Sequence, residues 1–567
     1  MTRSFQQSLK AALLASAFVI PLSLNAGAHA QSEQFGTADV GRIDRQLTEE
    51  RIVPQLGPRV SVRETTLVNA PEGAENIKFN FGGLEINGAN VFGPGELAPF
   101  YEDLIGTEIS LAKVYAIAND ITLKYRDEGY ILTQVIVPAQ TIDKGVARLQ
   151  VVEGFIDRIS VQGEEDNEDA RNLIIAYASQ ISSGSALSAA EMERQLLLIN
   201  DLPGINARSI ISPSPTTRGA ADLTIILERD PFEAGLGINN HGSRFLGRLQ
   251  ANGYAQFNSL FGKNDKITAQ FVAAPDAGLE LAYGSVGYEM PVGKMGTKAG
   301  FIASVTDTDP GFTLDQFDVK GLSRSLTAYA SHPFKRSRNA NVFGRLQFDW
   351  RNVESKNNVD PDTTRDRLRV LRASVEGDFL DRLLGVAVNS YTFQISQGIG
   401  IWGASHKNDD NLTRNNGDPS FTKANVQVSR LQRITNEVNL QVTGRAQLSN
   451  NPLLSSEEFG IGGMSTVRGF SPSEIVGEDG INGNAELRWN PQEYRDLELF
   501  SFLDSGSVWN QDQDGKRESL TSTGIGVRYD FPMDVAAEFV AAQPLHRDVD
   551  VYGDRKPRFF FSVNKKF

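Results

Sequence analysis

Residues 558–567, RFFFSVNKKF, end the chain with a run in which apolar and polar side chains alternate. Side chains at every second position of a β-strand lie on the same face, so Phe559, Phe561, Val563 and Phe567 share one face. That face is mostly apolar and ends in an aromatic residue, as a last strand in contact with lipid would. The end of the chain therefore favours a membrane β-barrel.

Fifteen further alternating segments precede this one within residues 230–567, separated by clusters of Gly, Asn and Asp. When residues 230–567 are divided among sixteen strands, each strand with its connection has about 21 residues. This is enough for a spanning strand of about ten residues plus alternating short and long connections. GKMG (293–296) and FPMD (531–534) are typical short turns, whereas KNNVDPDTTRDR (356–367) and SHKNDDNLTRNNGDP (405–419) are long and polar. We predict a transmembrane β-barrel of 16 antiparallel strands; the alternative is a water-soluble β-sandwich or propeller.

The composition restricts the function classes. The 567 residues include no cysteine, five histidines and a formal net charge of −14. The lack of cysteine excludes disulfides, thiolate zinc sites and iron–sulfur clusters, and the acidic balance argues against nucleic-acid binding. We predict no cofactor, no metal site and no catalytic residues. Beyond residue 30 no run approaches the ~20 apolar residues of a membrane helix, whereas barrel strands hide their hydrophobicity by alternation.

Residues 1–30 have the pattern of a secretory signal peptide. Basic residues precede an apolar run over residues 11–24, and Ala28-His29-Ala30 is a small-x-small cleavage site. Ala28 and Ala30 form this site, and cleavage after Ala30 would start the mature chain at residue 31. We therefore expect an exported protein.

Residues 31–76 form a mixed N-terminal segment. VGRIDRQLTEER (40–51) predicts one short, charged helix, and the Pro and Gly residues that follow it predict a linker.

Residues 77–154 and 155–229 predict two small modules with the same element order, β-α-α-β-β. The pattern Gly106-x-x-Ile109-Ser110 of the first recurs as Gly184-x-x-Leu187-Ser188 in the second. Two copies at one period indicate an internal duplication.

A long connection near the end of the chain carries the candidate site. It includes Arg468, and one strand separates it from residues 500–506, FSFLDSG. Period 2 places the aromatic rings, Asp504 and Gly506 of that segment on one face, which suits a lumen wall better than lipid contact. A lumenal carboxylate needs a partner, and an arginine can provide a bidentate one. We predict that the loop folds into its own barrel, where Arg468 and Asp504 hold it. The residues of this loop–barrel lock are Val467, Arg468, Gly469, Phe470, Phe500, Phe502, Asp504 and Gly506.

These features together resemble the two-partner secretion transporters (TpsB type), to which the haemolysin and filamentous-haemagglutinin transporters belong. The resemblance rests on the tandem modules, the sixteen strands, the Val467–Phe470 motif, the 500–506 strand and Phe567. It implies that the modules are polypeptide-transport-associated (POTRA) domains, 77–154 and 155–229, and that Arg468 pairs with Asp504. It also implies that the 40–51 helix is a candidate plug of the barrel and that Phe567 is a barrel-assembly signal.

The function implied is type V secretion across the bacterial outer membrane, with the modules in the periplasm. A secreted β-helical exoprotein, haemolysin- or adhesin-like, would be the cargo, carried in unfolded form. The barrel-assembly machinery and outer-membrane lipid would be further partners, and no nucleic acid is expected. The alternative is an outer-membrane protein assembly or insertion factor, whose relatives usually carry three or more modules. A passive pore would leave the modules without a role. An enzyme is the least favoured class, because the sequence shows no plausible catalytic constellation.

Overall fold

The computed structural model describes residues 38–48, 67–163, 168–181, 186–217, 219–275, 278–358, 363–511 and 516–567. It consists of a short helix, α1 (Val40–Thr48), two small α/β modules and a closed barrel. Residues 49–51 of the predicted first helix, and the predicted signal peptide with Ala28 and Ala30, lie outside the described residues.

The first module packs one long helix on a three-stranded sheet. Its strands are β1 (Lys78–Asn80), β2 (Gly83–Asn87), β3 (Glu108–Ser110), β4 (Gln134–Ile136) and β5 (Val146–Val152), and its helices are α2 (Pro94–Leu97) and α3 (Leu111–Asp127). The sheet order is β2-β5-β4, and β1 pairs separately with β3. Residues 77–88, IKFNFGGLEING, alternate as a single predicted strand would, but they form two strands, because Gly83 has a φ of +140° that turns the chain between them. The stripe of α3 is buried as expected, with Val114, Ile121 and Tyr125 fully enclosed.

One carboxylate holds the end of β5 in this module. Glu153 accepts hydrogen bonds from the backbone N–H groups of Asn90 (2.7 Å) and Val91 (2.8 Å) and from the Tyr125 hydroxyl (2.9 Å). Burial on its own raises the pKa of Glu153, but these hydrogen bonds outweigh burial and leave the pKa below its ordinary value.

The second module repeats the arrangement. Its elements are β6 (Phe155–Gly163), α4 (Glu168–Ala178), α5 (Ala189–Asn200), β7 (Ile205–Pro213) and β8 (Ala220–Arg229), with the sheet order β6-β8-β7. Ser188 caps α5 by accepting a hydrogen bond from the Glu191 N–H. Met192, Leu196 and Ile199 are buried, as the helical spacing predicts.

Sixteen antiparallel strands close into a barrel, with β26 paired to β9. The barrel strands are β9 (Phe232–Asn239), β10 (Gln250–Asn258), β11 (Lys266–Ala274), β12 (Leu281–Val292), β13 (Thr297–Thr308), β14 (Lys320–Lys335), β15 (Ala340–Lys356), β16 (Thr364–Asp381), β17 (Ala387–Gly398), β18 (Thr422–Arg433), β19 (Val438–Ser449), β22 (Asp479–Trp489), β23 (Leu497–Trp509), β24 (Arg517–Phe531), β25 (Val535–Pro544) and β26 (Arg558–Lys566). Each predicted segment overlaps one of these strands, so the predicted barrel is confirmed. One connection is shorter than predicted, because β16 continues back to Thr364.

The second module lies against one end of the barrel. Arg336, in the turn between β14 and β15, makes two hydrogen bonds of 2.8 Å to the Asp201 carboxylate at the end of α5. Arg338 of the same turn pairs with Glu193 at 3.4 Å, and Leu198 would meet any side chain added at Gly296 of another turn. The short turns thus contact the module, and the long connections lie at the opposite end.

Among the described residues, no helix is long and apolar enough to cross a membrane.

Candidate functional site

The loop between β19 and β22 enters the barrel lumen. It forms a small hairpin of β20 (Phe459–Ile461) and β21 (Ile475–Gly477). Val467 and Phe470 are fully buried against the wall residues Val508 and Leu520. Apolar contacts of this kind fix the path of the loop and position its polar tip.

The structure brings Arg468 and Asp504 together in the lumen. The Arg468 Nε donates to Asp504 Oδ2 at 2.7 Å, and its Nη2 donates to Oδ1 at 2.8 Å. The Arg468 backbone N–H also donates to Oδ2, at 3.1 Å. Asp504 is fully buried and Arg468 is 7% exposed. A bidentate, buried contact of this kind is strong, because a carboxylate left without its cation in this site would be costly.

A second carboxylate, which sequence reasoning missed, completes the site. Arg468 Nη1 donates to Glu486 Oε2 of β22 at 2.6 Å, and Glu486 also contacts Arg488 (2.8 Å) and Arg528 (3.0 Å). Arg468 therefore joins two neighbouring strands, β22 and β23. The sequence signal was available, since Glu486 and Arg488 occupy lumen-facing positions of a strand.

Two aromatic rings support the arginine. Phe500 and Phe502 lie on the same lumenal face, and the Arg468 guanidinium carbon is 3.6 Å from the Phe502 ring centroid. Gly526 and Gly524 stand opposite them on β24, where an added Cβ would lie 2.2 Å and 2.5 Å from the ring carbons. The rings thus lie flat over glycines, which leaves room for the loop tip.

Two predicted glycines have distinct roles. Gly469 has a φ of +90°, so the loop turns there in a conformation that side chains disfavour. A glycine in a strand predicts the close approach of another backbone, but at Gly506 the nearest lumenal atoms belong to the Ile461 side chain, 2.8 Å from an added Cβ. The loop inserts a side chain at Gly506 because its hairpin, rather than its tip, passes over this part of β23.

Helix α1 also lies inside the barrel. Asp44 accepts hydrogen bonds from Ser304 (2.7 Å) and Thr306 (2.9 Å) of β13 and pairs with Arg351 of β15 (3.2 Å). Any side chain at Gly41 would overlap Val353, with 2.7 Å between their carbons. Val40 also lies against Gly321 of β14, and close contact with these three wall strands shows that this charged helix occupies the lumen.

The helix also contacts the base of the loop. Arg42 Nη2 donates to Glu458 Oε2 at 2.9 Å, and Arg45 Nη1 lies 3.4 Å from Glu457 Oε2. Glu457 is fully buried and also pairs with Arg372 (2.7 Å) and Lys423 (2.6 Å) of the wall. Glu457 thus connects helix, loop and wall, a role that sequence reasoning missed.

Phe567, the candidate barrel-assembly signal, lies where the first and last barrel strands meet. The Phe567 N–H donates to the Ala234 carbonyl of β9 at 2.9 Å, and the ring is 68% exposed on the outward face. No group of three or more His, Asp or Glu side chains suited to a metal ion occurs in the part of the chain that the structure describes.

Family models match both parts of the chain. The model of the haemolysin secretion/activation proteins ShlB/FhaC/HecB matches residues 222–529, more than half of the chain. A POTRA domain model of the ShlB type matches residues 79–154.

Similar proteins share nearly the whole length. The heme/hemopexin transporter protein HuxB of Haemophilus influenzae is 23% identical over 550 residues, covering 94% of this chain and 95% of the relative. The hemolysin transporter protein ShlB of Serratia marcescens is 24% identical over 454 residues, covering 78% and 77%.

Solved structures share the fold. CdiB from Escherichia coli superposes with a TM-score of 0.71 at 20% identity, covering 95% of this chain and 97% of that one. BamA from Haemophilus ducreyi, lacking POTRA domains 1–3, gives a TM-score of 0.52 at 14% identity. The chain therefore belongs to the haemolysin secretion/activation protein family ShlB/FhaC/HecB, and it is an outer-membrane transporter of a partner exoprotein with periplasmic POTRA modules.

Proposed function

We propose that the chain secretes a large β-helical exoprotein, haemolysin- or adhesin-like, which crosses the barrel in unfolded form. The similar proteins include transporters named for heme/hemopexin and for hemolysin. A lumen of sixteen strands admits an extended chain rather than a folded domain. Folding of the exoprotein outside the cell would make transport directional.

The observation that carries this proposal is the occupied lumen. Helix α1 and the loop tip both fill it through buried ion pairs, Arg42 with Glu458 and Arg468 with Asp504. Two such obstructions would block the diffusion of solutes, which is the function of a passive channel. We propose that both are displaced when the exoprotein enters, so that the Arg468–Asp504 contact acts as a conformational lock.

We propose that the two modules, divided at residues 77–154 and 155–229, capture the exoprotein by adding an extended segment to a sheet edge. In the second module β6 and β7 are both edge strands, since each pairs only with β8. A groove beside β6 is lined by Ile159 and Val161 of that strand and by Arg171 and Ile175 of α4. The groove thus lies between the first strand and the first helix of the module.

We further propose that residues 1–30 are removed after Ala30 and that Phe567 is read by the barrel-assembly machinery. The exposed ring of Phe567 beside the seam supports the second point. Residues 31–76 would provide the plug helix and its linker, and residues 230–567 the barrel.

The test uses the full mature chain in detergent. Its binding is measured to the N-terminal region of the exoprotein encoded beside it, with unfolded barrel precursors as the competitor. Binding of the exoprotein alone supports a dedicated secretion transporter. Binding of the precursors alone would contradict it and favour the assembly factor.

A further inference from the structure

One part of the outward barrel face is basic. Strand pairing places Arg324 of β14 opposite Asn352 of β15, and Asn352 opposite Arg367 of β16. Their chain neighbours Ser325, Val353 and Asp366 are buried on the lumenal side. The side chains of Arg324, Asn352 and Arg367 therefore form one row across three strands, pointing away from the lumen.

The row lies at the outer edge of the apolar band. The next row toward the second module consists of Leu326, Trp350 and Arg369, and the one after it of Ala328, Phe348 and Leu371. Leu326 and Leu371 are 45% and 42% exposed, as lipid-facing residues are. Because the modules contact the other end, the basic row lies at the level of the outer-leaflet headgroups.

The two exposed arginines have no acidic partner. Within the described ranges, no carboxylate oxygen lies within 4.0 Å of the Arg324 or Arg367 guanidinium. The nearby Glu354 is already paired with Arg365, at 3.6 Å. Asp307 lies one row farther out, opposite Leu322.

Arg369 adds a buried cation beneath the row. It is 3% exposed, and its Nη1 donates to the Leu368 carbonyl (2.7 Å) and to Asn352 Oδ1 (3.1 Å). Its Nε has no hydrogen-bond partner, and no carboxylate in the described part of the chain pairs with it. Its other neighbours are the carbonyl groups of Arg351 and Trp402 and the Trp350 ring, so its positive charge has no carboxylate beside it and adds to that of the row.

Asn352 and Trp350 connect Arg369 to the row. Because the Asn352 Oδ1 accepts from Arg369, the amide nitrogen remains a donor beside Arg324 and Arg367. The Trp350 ring centroid lies 4.7 Å from the Arg369 guanidinium carbon. An indole at the edge of the apolar band is typical of residues that anchor at the membrane interface.

We propose that Arg324, Asn352 and Arg367, with the buried charge of Arg369 beneath them, form a binding site for the phosphate group of an anionic glycolipid in the outer leaflet. Guanidinium groups bind phosphate oxygens through paired hydrogen bonds. The acyl chains of the same lipid would cover Leu326 and Leu371, so that one molecule both neutralises the positive charge and contacts the apolar surface. The site holds the barrel to its lipid and takes no part in the lumenal contacts.

The test uses the full chain in phosphatidylcholine nanodiscs, with bisphosphorylated lipid A as the probe. The Arg324→Gln/Arg367→Gln variant is compared with Lys320→Gln/Arg365→Gln, which removes two charges from the same end of the barrel. Both control residues already have carboxylate partners, Asp318 at 3.0 Å and Glu354 at 3.6 Å. We expect the Kd to rise about tenfold in the first variant and less than about threefold in the control.

The result depends on the phosphate. Lipid A with its phosphates removed should bind both variants and the parent chain equally weakly, and inorganic phosphate should compete poorly. Equal weakening in both double variants would overturn the site in favour of general charge attraction. Full competition by inorganic phosphate would overturn the lipid as the ligand. If the Gln variant loses its closed barrel, Arg324→Lys/Arg367→Lys is measured instead; unchanged affinity in it would exclude paired guanidinium contacts.

Discussion

The loop tip and helix α1 both fill the lumen through buried charges, but they are held differently. The loop tip depends on one cation, Arg468, whose two carboxylate partners lie on the adjacent strands β22 and β23. Helix α1 has three charged residues with partners on β13, β15 and the loop base. Replacement of one residue therefore removes the contact that holds the tip. The helix has several independent contacts, so that the loss of one leaves the others in place.

The largest effect is expected from Arg468→Ala. Because breaking a buried ion pair costs about 3–5 kcal/mol, we expect at least about a tenfold loss of secreted exoprotein while the barrel still inserts. Secretion is measured in culture medium and insertion by heat-modifiable migration. The matched control is Arg488→Ala, since Glu486 keeps Arg468 and Arg528 in that variant. Normal secretion by inserted Arg468→Ala protein would remove the lock from the mechanism.

Glu457→Gln should have the next largest effect, because it acts on both regions at once. It leaves Arg372 and Lys423 facing a neutral group, and it weakens the contact with Arg45. We expect the open probability of single channels in planar bilayers to rise about tenfold. An unchanged open probability would show that Glu457 does not connect the helix to the loop.

Arg42→Ala/Arg45→Ala should act on the helix alone. Glu458 keeps Arg414 at 3.1 Å and Glu457 keeps its wall partners, so the loop base stays neutralised. Channel opening should increase about threefold to fivefold, with secretion retained, because the carboxylates keep other cations and the net loss from the buried hydrogen bonds is limited to about 1 kcal/mol. A loss of secretion as large as that of Arg468→Ala would contradict the difference between the two regions.

The smallest effect is expected from Ser304→Ala. Asp44 loses one hydrogen bond but keeps Thr306 and Arg351. We expect no more than about a twofold change in channel opening, because the net loss of one hydrogen bond of three contacts is about 0.5 kcal/mol. A larger change would mean that the contacts of the helix do not substitute for one another.

The sequence could predict the loop tip because its partners recur in a short, regular pattern. Alternation alone places Phe500, Phe502 and Asp504 on one face, and one strand separates them from Arg468. The sixteen barrel strands were predictable for the same reason, since each repeats period 2 between polar turns.

The environment of the helix could not be predicted in this way. Arg42, Asp44 and Arg45 have the composition of a solvent-exposed helix, and their burial depends on partners such as Ser304, Arg351 and Glu458. These partners come from distant parts of the chain and meet only when the barrel closes. Glu457 was missed because its cations come from four separate elements, namely α1, β15, β16 and β18, which contribute Arg45, Arg351, Arg372 and Lys423.

We propose that helix α1 must leave its place for the exoprotein to pass. The chain has no cysteine, and a Cβ added at Gly321 of β14 would lie 2.9 Å from the Val40 Cβ of α1. Because disulfides join Cβ atoms about 3.5–4.5 Å apart, Val40→Cys/Gly321→Cys can be oxidised after a small adjustment. The measurement is secretion by this variant before and after reduction, with each single cysteine variant as a control. We expect that the oxidised form does not secrete and that reduction restores secretion; equal secretion by the fully oxidised form would show that the helix stays in place during transport.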